Sequence, residues 1–306
     1  MSEPSVSVVI ACHAEERFEM LLRAIASVQT QTPAPAQLII AVDQNDVLVE
    51  RLSSQVEGIE VVDHRGQRGA SGTRNAGAAL ATSPLLAFID DDVQARGGWL
   101  RELTAPFADP SVVGTGGMTK AAWHGARPRW FPDEFGWVVG ASYAGLPTEV
   151  APVRNVWSEN MAVRREAFES VGGFRHGFGK IGRVSRPEDT DLCIRVGASA
   201  PTSHWLYVPG AVVDHEVPSD RATFAFFLRR CFWEGAGKVE LSAHLAGDSD
   251  LGDERSYLLR TLPLAVGRNL ATGKLARALA ILAGVAVAGA GGATSIVRRL
   301  QSSVRR

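Results

Sequence analysis

Through the first ninety residues, short aliphatic runs alternate with stretches whose apolar residues recur at helical spacing. "SVSVVIACH" (5–13) is continuous rather than alternating, the pattern of a strand buried on both faces. In "RFEMLLRAIASVQTQ" (17–31), Phe18, Leu21, Leu22, Ile25 and Val28 return every three or four positions, which predicts an amphipathic helix. "AQLIIAVDQND" (36–46) predicts a strand ending in an acidic turn, "VLVERLSSQV" (47–56) a helix, and "IEVVDH" (59–64) a third strand. "GASGTRNAGAALAT" (69–82) is a Gly-rich turn entering a helix, and "LLAFIDDD" (85–92) a fourth strand. Strict alternation of strand and helix predicts a parallel sheet with right-handed crossovers.

After residue 100 the rhythm loosens. "GTGGMTKAAWHGARPRWFPDEFGWVVG" (114–140) is rich in Gly, Pro and Trp and predicts a long, partly mobile surface segment. "WSENMAVRREAFESVGGF" (157–174) predicts a helix starting near Arg164 or Arg165 and stopped by the Gly pair. "RPEDTDLCIRVGA" (186–198) predicts an acidic helix start, and "HWLYVPGAVVDHEV" (204–217) two short strands. Residues 219–245 predict an amphipathic helix capped by Ser219 or Asp220.

Polar residues collect where the strands end: His13 and Glu15, Asp43, Asp63, and Asp90 to Asp92. In an open α/β sheet those ends line the crevice where ligands bind. Each could instead cap the next helix, but four successive strand ends with such residues favour a site. Strand alternation puts Asp90 and Asp92 on one side and points Asp91 away. Two such carboxylates suit a hard divalent cation, which takes further oxygens from a diphosphate. In "RPEDTDLCIR", Glu188, Asp189 and Asp191 fall within four residues. Repulsion and burial would raise one pKa there, as a general base requires, although an acidic first helical turn is also favoured by the helix dipole. His215 in "VVDHEVPSDR" is a candidate third metal ligand beside a carboxylate pair.

Composition narrows the class. The 306 residues allow one large domain or two smaller ones, and a net charge of -1 disfavours general nucleic-acid binding. Cys12, Cys193 and Cys231 are far apart and lack zinc spacing, which points to reduced thiols in the cytoplasm. The N-terminus does not resemble a signal peptide. Residues 278–297, "ALAILAGVAVAGAGGATSIV", are uncharged and long enough to span a bilayer. Basic residues flank both ends: Arg268, Lys274 and Arg277 before, and Arg298, Arg299, Arg305 and Arg306 after. That symmetry opposes a single span. It favours an interfacial helix, a shallow hairpin or a helix packed on a partner over a buried helix pair.

Taken in order, "VSVVIACHAEE", a strand ending at Asp43, "TRNAG", "FIDDD", "GGF" and "EDTDLCIR" resemble family 2 glycosyltransferases of the GT-A fold. "VVDHEVP" and "FLRRCFWEGAGK" extend the likeness to bacterial members that glycosylate lipids or polysaccharides. The resemblance covers residues 5 to 240. It implies an α/β GT-A domain over 1–240, with a Rossmann-like nucleotide-binding half (1–113) in a mixed sheet flanked by helices. An acceptor-binding half (114–240) would follow, and the apolar segment at 278–297 predicts a C-terminal helical, membrane-associated extension over 241–306.

The implied reaction moves a sugar from a UDP-, GDP- or dTDP-linked donor to an acceptor hydroxyl with inversion, using Mn2+ or Mg2+. It also implies a glycan or lipid-linked acceptor and work at the cytoplasmic face of the cell membrane, in cell-envelope synthesis. Residue by residue, Ala11, His13 and Glu15 would border the nucleotide, Asp43 would meet the base or ribose, and Arg74 would lie near the diphosphate. Asp90 would approach the ribose, with Asp91 beside it, and Asp92 and His215 would hold the metal. Asp189 would be the base, with Glu188 as the alternative acid. Arg229 and Arg230 would stabilise the leaving diphosphate, and Trp157, Glu159 and Asn160 would shape the donor-sugar and acceptor region.

The sequence departs from the family at Ala11, where proline is usual, at Gln44, Asn45 and Asp46, and at Cys231 and Phe232. These departures bear on nucleotide contacts more than on the reaction class. The choice among Glu188, Asp189 and Asp191 as base stays open. So do a retaining GT-A transferase, a nucleotidyltransferase and a non-catalytic nucleotide-sugar binder.

Overall fold

The continuous apolar runs form the centre of a nine-stranded mixed sheet. The computed structural model describes residues 4–181, 184–242 and 252–304. Strand β1 (Val6–Cys12) lies parallel between β2 (Gln37–Asp43) and β4 (Leu85–Asp90), and β3 (Glu60–His64) flanks β2. Beyond β4 come β8 (Asn160–Arg164), β6 (Val112–Trp123), β11 (His204–Val217) and β5 (Val93–Ala95). β7 (Ala151–Val153) pairs with β11. The first four strands are parallel, as the alternation predicts. β8 runs antiparallel to both β4 and β6, so the whole sheet is mixed.

Burial on both faces explains the unbroken apolar runs. Val8, Ile10, Leu38, Ile40, Ala87 and Ile89 share a core with helices α1 (Phe18–Gln29), α2 (Asp46–Gln55) and α4 (Trp99–Thr104). Their alternates Val9, Ile39, Leu86 and Phe88 share the other core with α3 (Ala70–Leu80), α5 (Arg165–Ser170) and α6 (Glu188–Ser199). Gly172 and Gly173 both take positive φ and end α5. Short strands β9 (Gly179–Ile181) and β10 (Val184–Arg186) precede α6.

Several expectations need correction. Residues 114–140 are not a mobile surface segment. They begin inside the twelve-residue strand β6 and continue into a 3-10 turn at Asp133–Val139, with Phe131, Phe135 and Val138 buried. A Cβ on Gly114 would lie 2.1 Å from Trp205, and one on Gly116 would lie 2.3 Å from Val156. These glycines are packing positions, not flexible ones. Residues 204–217 form one strand rather than two, because Pro209 and Gly210 fall between the stretches paired to β7 and β5. Helix α7 (Phe224–Ser242) is capped by Thr223, whose Oγ1 accepts from Phe226 N at 3.2 Å, not by Ser219 or Asp220. The last three residues of the expected 219–245 helix lie outside the described residues.

The chain divides into two compact units. The first comprises Met1–Lys120, Pro147–Arg183 and Glu188–His215. The second comprises Ala121–Leu146, Val184–Pro187 and Glu216–Arg306. Helix α7, expected within the first domain, belongs to the second unit. That unit adds α8 (Gly252–Ser256), a π-helical turn (Tyr257–Thr261), α9 (Leu262–Ala271) and α10 (Leu275–Val304) around Phe135, Phe227, Leu262 and Ile281. Residues 278–297 are one continuous helix, with no hairpin. Helix α10 meets α7 closely: a Cβ on Gly235 would lie 1.9 Å from the Ala288 carbonyl, and one on Gly291 2.0 Å from the Phe232 carbonyl. Arg305 and Arg306 lie outside the described residues.

Candidate active site

Strand β4 delivers Asp90 at its last residue, on the same side as Phe88 and therefore toward α3. There Arg74 Nη2 donates to Asp90 Oδ1 at 2.6 Å, and Arg74 Nη1 reaches Glu188 Oε1 at 3.3 Å. Arg74 is buried at 5% exposure, and its charge is held by Asp90 and Glu188 against the cost of burial. One arginine from α3 thus joins the strand end to the start of α6.

The strand stops at Asp90, and Asp91 and Asp92 form a turn before β5. The alternation rule therefore does not extend to them, and Asp91 does not point away alone. Arg17, just before α1, pairs with both: Nη1 lies 2.8 Å from Asp91 Oδ1, and Nη2 contacts Asp92 Oδ2. His215 Nε2, from β11, is 3.3 Å from the same Asp92 oxygen. Arg17 was not singled out in the sequence, since nothing beside it marks a partner seventy positions away.

The three acids of "EDTD" separate by their partners. Asp191 is fully buried; Arg175 Nε donates to Oδ1 at 2.9 Å and Arg195 Nε to Oδ2 at 2.8 Å. Arg195 also holds the Val171 and Gly173 carbonyls, so Asp191 is a hub of local structure. Glu188 is engaged by Arg74. Asp189 accepts hydrogen bonds from Ser158, through side chain and backbone. Its Oδ1 is buried with no hydrogen-bond partner among the described residues. Burial, opposed by Arg74, holds Asp189 above the usual carboxylate range. Burial and the adjacent Asp189 push Glu188 up to about 8. Burial also takes Glu159 to about 8, against the pull of His215 and with Asp90, Asp189 and Asp92 adding repulsion. Asp91 reaches about 7, chiefly through burial and against Arg17.

Asp90, Asp91, Asp92, Glu159, Glu188, Asp189, Arg74 and His215 therefore form one electrostatically linked cluster. Ala11 stands in register with Asp90, at the cluster's edge. Asp43 lies further along the strand ends, where Oδ2 accepts from Gly69 N at 3.0 Å and fixes the turn into α3. Its Oδ1 is buried without a partner among the described residues. His13 and Glu15 are exposed on the turn after β1. Trp157 accepts from Asn160 N through its carbonyl. Asn160 is buried. Its side chain accepts from Trp99 Nε1 at 2.8 Å and donates to the Met118 and Ala211 carbonyls, so it pins the sheet. Arg229 and Arg230 lie on α7, in the second unit.

Could this cluster hold a metal? Among the described residues no three His, Cys, Asp or Glu side chains converge as a complete metal cage. Asp92 and His215 do converge, with Asp91 Oδ2 buried and unpartnered nearby. Two protein donors and a carboxylate-rich surround suit a cation that completes its shell with phosphate oxygens and water.

The profile of Glycosyl transferase family 2 matches residues 7–172, more than half of the chain. The chain belongs to glycosyl transferase family 2. The enzyme is 32% identical over 258 residues to the glucosyl-dolichyl phosphate glucuronosyltransferase of Haloferax volcanii, covering 83% of this chain and 82% of that one. It is 28% identical over 233 residues to a pre-mycofactocin glycosyltransferase of Mycobacterium tuberculosis, spanning 75% of this chain and 47% of that relative. Among solved structures, the mannosyltransferase PcManGT of Pyrobaculum calidifontis superposes with a TM-score of 0.59 at 15% identity, covering 93% of this chain and 87% of that one. GalNAc-T7 gives 0.55 at 17%, covering 84% and 54%. At these identities the likeness establishes the shared GT-A fold. The enzyme is a glycosyltransferase of the EC 2.4 type.

Proposed function

We propose that the enzyme transfers a sugar, with inversion, from a nucleoside-diphosphate donor to the hydroxyl of a lipid-linked or glycan acceptor, with Asp189 as the base. The carrying observation is the difference among the three acids: only Asp189 keeps a buried oxygen open while Ser158 fixes its carboxylate. The acceptor hydroxyl attacks the anomeric carbon and gives its proton to Asp189 Oδ1. The bond from that carbon to the β-phosphate oxygen breaks, and its electron pair leaves on the diphosphate. One base opposite the leaving group gives inversion. Asp92 and His215 would hold Mn2+ or Mg2+, which when bound neutralises charge on the diphosphate. Arg74 holds Asp90 and Glu188 in place beside it. Asp43, Ala11, His13 and Glu15 lie along the strand ends where the nucleotide would lie.

The relatives support this reading. The Haloferax relative is named for a dolichyl phosphate-linked sugar, and PcManGT and GalNAc-T7 were solved with GDP-Man and UDP, each with Mn2+. UDP-, GDP- and dTDP-linked donors all remain in the proposal, as does work at the cytoplasmic face of the cell membrane. A thermal-shift screen of nucleotide sugars with and without Mn2+ identifies the donor, because a ligand of the native state raises the melting point. With that donor, Asp92→Asn abolishes Mn2+-dependent binding in calorimetry, while unchanged metal dependence would remove Asp92 from the site. NMR of the product's anomeric proton reads inversion directly, and retention would reject Asp189 as base.

A further inference from the structure

We propose that helices α9 and α10 form a docking face for an anionic lipid bilayer, on which the second unit lies without crossing it. This deepens the proposed reaction, resting on it only for the reason a lipid-linked acceptor would make docking useful. Large apolar side chains are exposed mainly in this unit. Leu259 is 76% exposed and Leu264 74%, and on α10 Leu275, Leu279, Leu282 and Leu300 are each more than half exposed. The α10 leucines belong to a repeat at 275, 279, 282, 286, 289, 293, 296 and 300, whose intervening members are Ala286, Gly289, Ala293 and Ile296. Every one of these positions is exposed. The repeat makes a continuous apolar stripe along some 25 residues, about 40 Å at helical rise.

Charge identifies the occupant. From Arg255 to Arg306 the sequence has nine Lys and Arg and no Asp or Glu. The whole chain has 32 basic and 33 acidic residues, so the preceding part carries 23 against 33. A nearly neutral protein thus carries its unbalanced positive charge on the segment that exposes its leucines. Arg260, Arg268, Lys274, Arg298 and Arg299 are all exposed on or beside these helices. Basic side chains bordering an apolar face match an anionic headgroup layer over an acyl boundary. A second copy of the chain would bring the same positive segment against itself in a twofold contact, without a carboxylate from that segment to answer it. The other side of α10 is committed inside the unit. Ala278, Ala280 and Ile281 are buried, and Gly235 and Gly291 bring α7 against it. A crossing helix would have to give up that packing.

The test is vesicle co-sedimentation of the full chain without nucleotide sugar. One arm uses phosphatidylcholine vesicles, the other phosphatidylcholine with one-third phosphatidylglycerol, each at 0.1 M and 0.5 M NaCl (conditions of roughly 10 Å and much shorter screening lengths). Binding at least about tenfold stronger to the anionic vesicles, and weakened by high salt, is expected. Leu264→Gln with Leu279→Gln, and separately Lys274→Glu with Arg298→Glu, should each lower it at least about tenfold with the melting temperature unchanged. Equal binding to both vesicle types, or none, overturns the proposal. Protein that resists extraction by high salt and alkaline carbonate indicates a spanning helix and also overturns it. So does a dimer in light scattering that the leucine variants dissociate. Vesicle binding is scored without sugar transfer, so a failed transferase assay leaves it standing, and a failed vesicle assay leaves the transfer reaction standing.

Discussion

Asp189 and Asp191 are two residues apart on one helical turn, and asparagine at each should have opposite consequences. Asp191 is fully buried between Arg175 and Arg195, whose side chains are 39% and 19% exposed. In Asp191→Asn the amide oxygen keeps one arginine and the amide nitrogen faces the other, donor to donor. A lost charge-assisted bond costs about 1.5–3 kcal/mol, and breaking a buried pair about 3–5. Arg175 reaches solvent, which puts the total near the lower end, about 3 kcal/mol. At about 2–4 °C per kcal/mol, the melting midpoint should fall by roughly 6–12 °C.

Asp189 has the reverse balance. Its folded-state pKa is raised, so its ionised form destabilises the fold as pH rises. Asp189→Asn removes that charge without changing shape, and the midpoint at pH 8 should hold or rise. Turnover should fall by about 10²–10⁴, the usual contribution of a general base. Scanning calorimetry and a nucleotide-release assay on both variants read the two quantities separately. Asp191→Asn losing turnover at full stability, or Asp189→Asn retaining turnover, would refute the assignment.

Three further outcomes follow from the same structure. Glu159, raised to about 8 chiefly by burial, is neutral at low pH and costs stability as pH climbs from about 4.5 toward 8. Glu159→Gln should therefore raise the melting point at pH 8.5 and leave it unchanged at pH 5; an equal gain at both would show that its charge is not the cause. Gly235→Ala would drive a Cβ into the Ala288 carbonyl, a backbone atom that cannot swing aside, and should cost about 3 kcal/mol, seen as faster amide exchange in α7 and α10. Gly289→Ala, with nothing within 4 Å, should instead stabilise α10 by about 0.5–1 kcal/mol, and a loss there would contradict the packing described.

Much of the first unit was legible because its signals are local. A strand buried on both faces must be apolar throughout, and the runs at 5–13 and 85–92 announced β1 and β4 to within a few residues. The acids at the strand ends and the "EDTD" turn were visible as types. Their division of labour was not, since it depends on Arg17, Arg175 and Arg195 arriving from elsewhere. Nothing at Arg17 distinguishes it from any arginine at a helix start. The alternation argument for Asp91 failed for a related reason: where a strand ends is decided by its neighbours, and β4 ends at Asp90. The glycines of β6 read as flexibility because the residues that need their space, Trp205 and Val156, are forty to ninety positions away. Asn160 was expected to shape the donor-sugar and acceptor region, and its three hydrogen bonds to Trp99, Met118 and Ala211 could not be read from the sequence.

The balance of charge in the cluster then bears on the reaction. Asp90, Asp91, Asp92, Glu159, Glu188 and Asp189 are met by the guanidinium groups of Arg17 and Arg74 and by His215. Three of these carboxyls are raised to between about 7 and 8, and Asp189 is raised as well, chiefly by burial, with repulsion among the neighbouring carboxylates adding to it. A divalent cation at Asp92 and His215 would relieve the repulsion in the same step that completes the donor site. Under the proposed function, the acidic excess therefore links donor binding to stability. Burial raises Asp189 and so, under the same reading, favours its taking the acceptor's proton.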